Sequence, residues 1–148
     1  MRAAKACLFC AIVRGEETAW QVYEDELTVA FLDHRPLLHG HCLLVPKIHA
    51  ETLPDLPELL VAPLFGVARL LARAVEEGLG ADGSFVAINN KVSQSVPHLH
   101  VHVVPRFKND GLFSPKLVWK RAPYRSEAER REVQEKIRRA VDAMEKLR

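Results

Sequence analysis

Five short apolar runs along the chain have the composition of β-strands. The segments 20–25 (WQVYED) and 27–33 (LTVAFLD) are rich in β-branched and aromatic residues and lie close enough to pair as a hairpin. The segment 41–46 (HCLLVP) follows a turn marked by proline and glycine, which predicts a third, more buried strand. The segments 84–90 (SFVAINN) and 97–106 (PHLHVHVVPR) predict the fourth and fifth strands.

Two longer segments show helical rather than strand periodicity. The apolar residues of the first, which spans 55–77, recur at helical spacing: Leu60, Leu64, Val67, Leu71 and Val75. Asp55 with Glu58 predicts a capping box at its start, and Pro63 predicts a split or a bend near that start. Gly78 and Gly80 predict where the helix stops.

The second helical segment begins at Ser126 with SEAE, another capping box. Its apolar positions share one face and predict a docked amphipathic helix: Val133, Ile137, Ala140, Val141, Met144 and Leu147. Strands that cluster apart from helices and are joined by hairpin-length links favour an α+β domain on an antiparallel sheet. We expect one domain over residues 1–148, since this length suits a single core.

The composition is that of an ordinary globular protein and argues against several classes of partner. Hydrophobic residues make up 48% of the 148 residues and charged residues 27%. The net charge is +2 and the charges are dispersed, so we expect no nucleic-acid surface and no membrane binding. No apolar run approaches the roughly 20 residues that a membrane helix needs. Small phosphorylated ligands remain compatible with this charge.

Three cysteines, Cys7, Cys10 and Cys42, form an odd and sparse set that does not resemble a disulfide scaffold. Cys42 lies between apolar neighbours and is expected in the core. Residues 1–17 resemble a weak secretory signal, but they lack a small-x-small cleavage site and two cysteines interrupt their apolar run. We therefore expect the protein in a reducing cytoplasm.

The segment 78–83 (GLGADG) matches a dinucleotide-binding loop only in its glycine spacing. Such a loop needs a strand before it and a helix after it, because the helix N-terminus binds the pyrophosphate. Here the predicted helix comes first, so the segment is interpreted as a helix stop followed by a turn.

Three histidines at every second position mark the fifth predicted strand. Because strand side chains alternate, His98, His100 and His102 project from one face, and the residues between them face a core: Leu99, Val101 and Val103. Binding of one metal ion is a first interpretation, but same-face neighbours lie roughly 6.5–7 Å apart and converge poorly on one ion. The second interpretation is attack of an imidazole on phosphorus, with its neighbours binding phosphate and protonating the leaving group.

The histidine run and three further segments resemble the histidine triad (HIT) nucleotide-binding family. The matching segments stand in family order: CLFCAIVRGE (7–16), VAFLD (29–33), GHCLLVPKIH (40–49) and QSVPHLHVHVVPR (94–106). The resemblance covers residues 7–110 and implies a five-stranded antiparallel sheet with one central helix and a C-terminal helix. It also implies a homodimer whose sheets join into one, and a variable segment over 111–148.

The resemblance implies roles for the triad strand and the loop before it. His100 would attack the α-phosphorus of a nucleotide and form a nucleotidyl-histidine that water then cleaves, while His102 would contact the phosphate or the leaving oxygen. Gln94 and Ser95 match phosphate-contacting positions, and Asn89 matches a position that contacts sugar or phosphate. The loop that holds them is shorter than in many relatives, which bears on the leaving group that fits.

The same resemblance implies residues for the nucleoside. Asp33 matches the acidic residue that accepts hydrogen bonds from the ribose hydroxyls. Phe9, Ile12 and Phe31 match the lining of the base pocket. His34 stands where relatives often have a branched aliphatic residue, so the choice between adenine and guanine stays open.

Cys7 and Cys10 have the spacing of a zinc knuckle but no second pair follows, and two core residues or a redox dithiol are the alternatives. The resemblance supplies the missing ligands as His49 and His98, which makes a closed, structural zinc site. Bound to zinc, His98 would orient His100 instead of reacting, although a part for His98 in the catalytic relay stays open.

The segment 106–125 is basic and contains an aromatic residue. Either it faces a polyphosphate or second nucleoside or it forms a solvated loop, and its candidate residues are Lys116, Trp119, Lys120 and Arg121.

Together these features predict a nucleotide hydrolase or transferase that acts on dinucleoside polyphosphates such as diadenosine tetraphosphate. Nucleoside phosphoramidates, which are AMP–amine conjugates, are the alternative substrates, and phosphorolysis is the alternative reaction. A non-catalytic nucleotide-binding module that acts through a protein partner is the rival from another class.

Overall fold

The chain folds around one five-stranded antiparallel sheet, as predicted. The computed structural model describes residues 6–114 and 121–147. The strands are β1 (Gln21–Glu24), β2 (Thr28–Leu32), β3 (Cys42–Pro46), β4 (Gly83–Ala87) and β5 (Val101–Arg106). They lie in the order β1-β2-β3-β5-β4, and every neighbouring pair is antiparallel.

In the described part of the chain three α-helices accompany the sheet: α1 (Leu8–Val13), α2 (Glu58–Leu79) and α3 (Glu127–Glu145). The two long helices confirm the α+β prediction, whereas α1 is not among the predicted elements. At the start of α3 the Ser126 hydroxyl accepts a hydrogen bond from the Glu129 amide at 3.1 Å, as a capping residue does.

The start of α2 differs from the prediction. Asp55 lies in a short 3₁₀ turn, Leu53–Asp55, where its carboxylate accepts a hydrogen bond from the Thr52 hydroxyl at 2.6 Å. Pro57 precedes the first residue of α2, and no side chain caps the helix there. The predicted capping box of Asp55 and Glu58 is therefore wrong.

α2 continues through Pro63 without a break, so the predicted split is wrong. Leu59, whose carbonyl loses its partner to the proline ring, is 90% exposed, so water can replace the missing donor. The helix also continues through Gly78 and ends before Gly80, which has the left-handed φ of 66°. A Cβ at Gly78 would lie 2.7 Å from the Lys136 carbonyl oxygen, so this glycine allows α2 and α3 to pack closely.

Alternation along the strands gives the sheet two apolar faces. One packs against α2 and α3 and includes Ala30, Leu32, Leu44, Leu99, Val101 and Val103. The other packs against α1 and includes Val29, Phe31, Leu43 and Val45. His102 pairs with Leu43 across β5 and β3, so the histidines share the α1 face while the residues between them enter the main core.

The C-terminal helix docks on the main core through Ile137, Val141 and Met144, as predicted. Leu147 follows the end of the helix and is 86% exposed, so its predicted place on the packing face is wrong. Cys42 is fully buried in the same core, as predicted. No helix among residues 6–114 and 121–147 combines the length and the apolar character needed to cross a bilayer.

Candidate functional site

The first histidine of the run lies inside a cluster of sulfur and nitrogen atoms. His98 Nδ1 is 3.4 Å from Cys7 Sγ and 3.5 Å from Cys10 Sγ, and Cys10 Sγ is 3.2 Å from His49 Nδ1. The four donor atoms all lie within 4.8 Å of one another. The structure therefore brings together all four residues that the sequence assigns to a zinc site.

The geometry of this cluster fits a tetrahedral zinc ion. Sulfur and nitrogen ligands at usual zinc bond lengths lie about 3.3–3.8 Å from one another, close to the distances seen here. His98 Nε2 donates a hydrogen bond to the Pro46 carbonyl oxygen at 2.9 Å, which leaves the Nδ1 lone pair for a metal. Cys7, Cys10 and His98 are buried, which is typical of a closed, structural site.

Protonation in the cluster also suits a metal. Burial lowers the pKa of His98 to about 4, so the ring is neutral, as a metal ligand must be. Burial, with a contribution from Cys7, raises the pKa of the Cys10 thiol to about 11. A bound cation would therefore be needed to keep the cysteines as thiolates, and these four residues can bind zinc.

The middle histidine has one ring nitrogen engaged and the other available for chemistry. His100 Nδ1 is 2.7 Å from the His98 carbonyl oxygen, and because a carbonyl oxygen only accepts, Nδ1 carries the proton. Nε2 therefore holds the lone pair. Burial lowers the pKa of His100, so its ring is neutral near pH 7.

The third histidine is held by a histidine to which the sequence analysis assigns no role. The Leu37 amide donates to His41 Nδ1 at 3.1 Å, so the proton of the neutral His41 ring is on Nε2. His41 Nε2 is 2.9 Å from His102 Nδ1 and donates to it, so the proton of His102 is on its own Nε2. Burial, with the charges of His102 and Arg121, lowers the pKa of His41 to about 2, so the donor stays neutral.

A cavity of about 430 Å³ opens in front of His100 and His102. Its wall on the α1 side includes Phe9, Ile12 and Phe31, and the rings of Phe9 and Phe31 meet edge to face with centroids 5.4 Å apart. A volume of this size, apolar on one side and with a few polar groups on the other, is typical of a small-molecule site. The predicted base-pocket residues thus lie together beside the histidines.

Asp33 lies on the polar side of the same cavity. Its carboxylate accepts a hydrogen bond from the Arg35 amide at 2.9 Å and lies 3.8 Å from the Arg121 guanidinium and 3.7 Å from His41 Nε2. His34 also lines the cavity, with a side chain that is 78% exposed. Of the basic segment, Arg121 reaches the cavity, whereas Lys116, Trp119 and Lys120 lie outside the described residues.

Of the three polar residues predicted before the triad strand, one lines the cavity, Ser95. The side chain of Gln94 instead forms hydrogen bonds with the backbone. Its side-chain nitrogen donates to the Glu51 carbonyl at 2.5 Å, and its side-chain oxygen accepts from the Lys91 backbone amide at 2.8 Å. Asn89 is half-buried at the end of β4 and is not among the residues that line the cavity.

Two arginines and a tryptophan also line the cavity, at positions to which no motif of the sequence assigns a role. Arg35 and Arg130 bring guanidinium groups to the cavity, and Trp20 packs beside Arg130. The position of His41 on the α1 side of the sheet could have been predicted, because it alternates with Leu43 along the third predicted strand. The positions of the arginines could not, since surface arginines of a helix or loop are ordinary solvated residues.

A histidine triad family protein from Mycobacterium smegmatis, crystallised with bound zinc, has a closely similar structure. The TM-score is 0.83 at 39% sequence identity, and the match covers 98% of this chain and 99% of that one. The zinc in that protein agrees with the ability of the Cys7–Cys10–His49–His98 cluster to bind this metal.

Curated proteins of the same kind are similar over most of this chain. The adenylylsulfatase HINT3 of Arabidopsis thaliana is 36% identical over 73% of this chain, a stretch that spans 56% of the plant protein. The adenosine 5'-monophosphoramidase HNT1 of Saccharomyces cerevisiae is 35% identical over 68% of this chain and 63% of its own length. The model of the HIT domain family matches residues 14–109. The chain therefore belongs to the HIT family.

Proposed function

We propose that this protein is a nucleotide hydrolase or transferase that cleaves a bond at the α-phosphorus through a covalent nucleotidyl-histidine on His100. The observation that carries the proposal is the protonation of this ring. With its Nδ1 proton donated to the His98 carbonyl, His100 presents the Nε2 lone pair at the wall of the cavity. A neutral imidazole of this kind is a good nucleophile near pH 7.

The reaction proceeds in two displacements. His100 Nε2 attacks phosphorus, the bond from phosphorus to the leaving atom breaks, and that atom keeps the electron pair. The carbonyl of His98 stabilises the imidazolium that forms, because it accepts the Nδ1–H. Water then attacks the phosphorus, the phosphorus–Nε2 bond breaks and its electron pair returns to Nε2. The proton of the water passes to bulk solvent, and His100 is released as a neutral ring.

His102 acts on the oxygen atoms around phosphorus. Since His41 donates to its Nδ1, the neutral His102 has its proton on Nε2 and can donate a hydrogen bond from it to a phosphate oxygen or to the leaving atom, without giving up the proton. Ser95, at the rim of the cavity, is the second donor that we assign to the phosphate. Gln94 and Asn89, which lie away from the lining, stay predictions without a contact that supports them.

The nucleoside occupies the rest of the cavity. We assign the base to the apolar wall of Phe9, Ile12 and Phe31, where an aromatic ring can pack against aromatic edges. We assign the ribose hydroxyls to the carboxylate of Asp33, which lies at the polar side of the same cavity.

The zinc site, where we place Cys7, Cys10, His49 and His98, serves the reaction indirectly. When bound, zinc supplies a fixed anchor for these four side chains and no reacting group. His98 then holds its own backbone carbonyl in place, and that carbonyl fixes the Nδ1 proton of His100.

Dinucleoside polyphosphates are the substrates that we propose first, and nucleoside phosphoramidates second. Both substrate classes contain a nucleotide whose α-phosphate is joined to a second group. The relatives support this shared feature, since an adenylylsulfatase and an adenosine 5'-monophosphoramidase both act on AMP joined to a second group. Hydrolysis and phosphorolysis differ only in whether water or phosphate attacks the nucleotidyl-histidine.

The test is mass spectrometry of protein quenched during turnover of diadenosine tetraphosphate or of an AMP-amidate. We expect one added nucleotidyl mass on wild type, located on His100 by peptide mapping, and none on His100→Ala. Absence of both adduct and turnover with either compound would instead favour a nucleotide-binding module without chemistry.

We also propose a homodimer joined through β4. The backbone edge of β1 is covered by α3, whose Gln134 and Arg138 donate to the Gln21 carbonyl. β4 is the opposite edge of the sheet, and its Val86 is 43% exposed. An edge strand with an exposed apolar side chain can pair with another copy, so Val86→Lys should convert a dimer into a monomer in light scattering.

A further inference from the structure

Positive charge gathers at one side of the nucleotide cavity. Among the described residues that line it, three are arginines, Arg35, Arg121 and Arg130, and one is a carboxylate, Asp33. A nucleotide α-phosphate accounts for one negative charge. The excess of guanidinium groups indicates that the group beyond the α-phosphate is also an anion.

Arg121 keeps most of its hydrogen-bonding capacity for a ligand. Its Nη1 donates to the Arg35 carbonyl at 2.9 Å and lies 3.8 Å from the Asp33 carboxylate. A guanidinium has five N–H donors in a planar fork. The side chain is 41% exposed, so the remaining donors are accessible from the cavity.

The backbone around Arg121 is attached to the loop that carries Asp33 and His41. The Ala122 amide donates to the Pro36 carbonyl at 2.8 Å, and the Gly40 amide donates to the Tyr124 hydroxyl at 2.9 Å. Arg121 is therefore positioned with the loop and is not a freely moving surface side chain.

The side of the cavity that Arg121 occupies is that of His102. Burial chiefly lowers the pKa of His102 to about 4, and the positive charges of His100 and Arg121 lower it further. Short distances connect Arg121 with His102. Arg121 Nη1 lies 3.8 Å from the Asp33 carboxylate, which lies 3.7 Å from His41 Nε2, and His41 Nε2 is 2.9 Å from His102 Nδ1. His102 is the residue that we assign to the leaving atom, so Arg121 lies on the leaving side of the phosphorus.

Arg130 lines the same cavity from α3. Its guanidinium carbon lies 5.6 Å from the ring centroid of Trp20 and 5.2 Å from that of Tyr124, which fixes its position between the two rings. Its Nε is buried and has no hydrogen-bond partner among the described residues. Because this Nε is closed off from solvent, Arg130 contributes to the cavity as a fixed positive charge and not through that donor.

We propose that Arg121, supported by Arg130, forms a subsite for an anionic leaving group and so selects nucleotides whose α-phosphate is joined to a second oxyacid. The inference rests on the proposed function. When the bond from phosphorus to oxygen breaks, the electron pair stays on an oxygen that becomes part of a phosphate, polyphosphate or sulfate anion. This anion leaves without a proton and is stabilised by a nearby positive charge. An amine that leaves from a phosphoramidate must instead gain a proton, and a nearby positive charge does not stabilise it.

The experiment compares kcat/KM for three adenylyl substrates: diadenosine tetraphosphate, adenylyl sulfate and adenosine 5'-phosphoramidate. We expect Arg121→Gln to lower kcat/KM about 10- to 100-fold for the two anhydrides and less than about threefold for the amidate. Arg121→Lys should recover part of the loss, because it restores the charge. In wild type, the ratio between the two anhydrides shows whether polyphosphate or sulfate is the better leaving anion.

Arg125→Gln is the matched control, since it removes one positive charge from the same segment. Its side chain is 89% exposed, pairs with Glu129 and does not line the cavity. All three substrates should react with Arg125→Gln as with wild type, and the melting temperature of each variant verifies folding.

Equal losses on all three substrates in Arg121→Gln would overturn the inference, since Arg121 would then act by positioning Asp33. No loss on any of them would overturn it too. If wild type turned over none of the three and formed no adduct, the proposed function itself would be wrong and this inference with it.

Discussion

The two ends of the histidine run lie on the same side of the sheet, which is the α1 side, but have opposite surroundings. His98 is fully buried among two cysteines and a second histidine, and it is not among the residues that line the cavity. His100 and His102, two and four residues later, line a cavity of about 430 Å³. One repeating pattern therefore supplies both a metal ligand and the groups that face a substrate.

In each histidine, the hydrogen-bond partner of one ring nitrogen determines what the other ring nitrogen can do. His98 gives its Nε2 proton to the Pro46 carbonyl, which frees Nδ1 for a metal. His100 gives its Nδ1 proton to the His98 carbonyl, which frees Nε2 for attack. His102 accepts at Nδ1 from His41, which leaves an Nε2–H donor.

The largest loss of activity should come from a substitution at His100, at the cavity end of the histidine run. We expect His100→Ala to lower turnover of the preferred substrate at least about 10⁴-fold, because no other group replaces the nucleophile. Zinc content should remain about one per chain, since the cluster keeps all four ligands. Steady-state kinetics and elemental analysis measure the two quantities. Loss of zinc together with activity would contradict the division between the two ends.

A smaller effect should follow from loss of the donor to His102. His41→Leu should lower kcat about 10- to 100-fold with little change in KM, because the tautomer of His102 is no longer fixed. His41→Gln retains an N–H near the position of Nε2 and should lose less. If the two variants lost equal activity, or only KM changed, His41 would have a packing role alone.

The smallest effect on activity should come from the metal end, where stability changes instead. Cys10→Ala should remove the zinc and lower the melting temperature by about 6–12 °C, which corresponds to about 3 kcal/mol. Its kcat should fall about tenfold or less, through the shift of the His98 carbonyl. Cys42→Ala is the matched control, because this cysteine is equally buried but outside the cluster. Retention of zinc in Cys10→Ala would refute the ligand assignment.

The sheet and the cysteine pair of the metal cluster were predictable from the sequence because their signals are local, whereas His49 and His98 were assigned as ligands only by the family resemblance. Short apolar runs mark each strand, and the short Cys7–Cys10 spacing brings two sulfur atoms together on one turn of helix. The start of α2 was not predictable from Asp55 and Glu58. The Asp55 carboxylate prefers the Thr52 hydroxyl, and Pro57 begins the helix without a cap.

The polar side of the cavity could not be predicted in the same way. It is formed by contacts between residues distant in sequence, which no local sequence pattern indicates. The tautomer of His41 is set by the amide of Leu37 in a loop. Arg121 and Arg130 reach the cavity only because the C-terminal segment docks against the loop at Pro36 and Gly40. Gln94 matches a phosphate-contacting position, yet its amide is engaged with the backbone of Glu51.

The distribution of protons along the histidine run is tested most directly by NMR of ¹⁵N-labelled imidazoles near pH 7.5, with single His→Gln variants for assignment. Long-range proton–nitrogen correlations distinguish the two neutral tautomers of each ring. From the hydrogen bonds of these rings we predict a proton on Nδ1 of His100 and on Nε2 of His98, His41 and His102. A proton on Nε2 of His100 would contradict this prediction, because the nitrogen assigned to attack phosphorus would then have no lone pair.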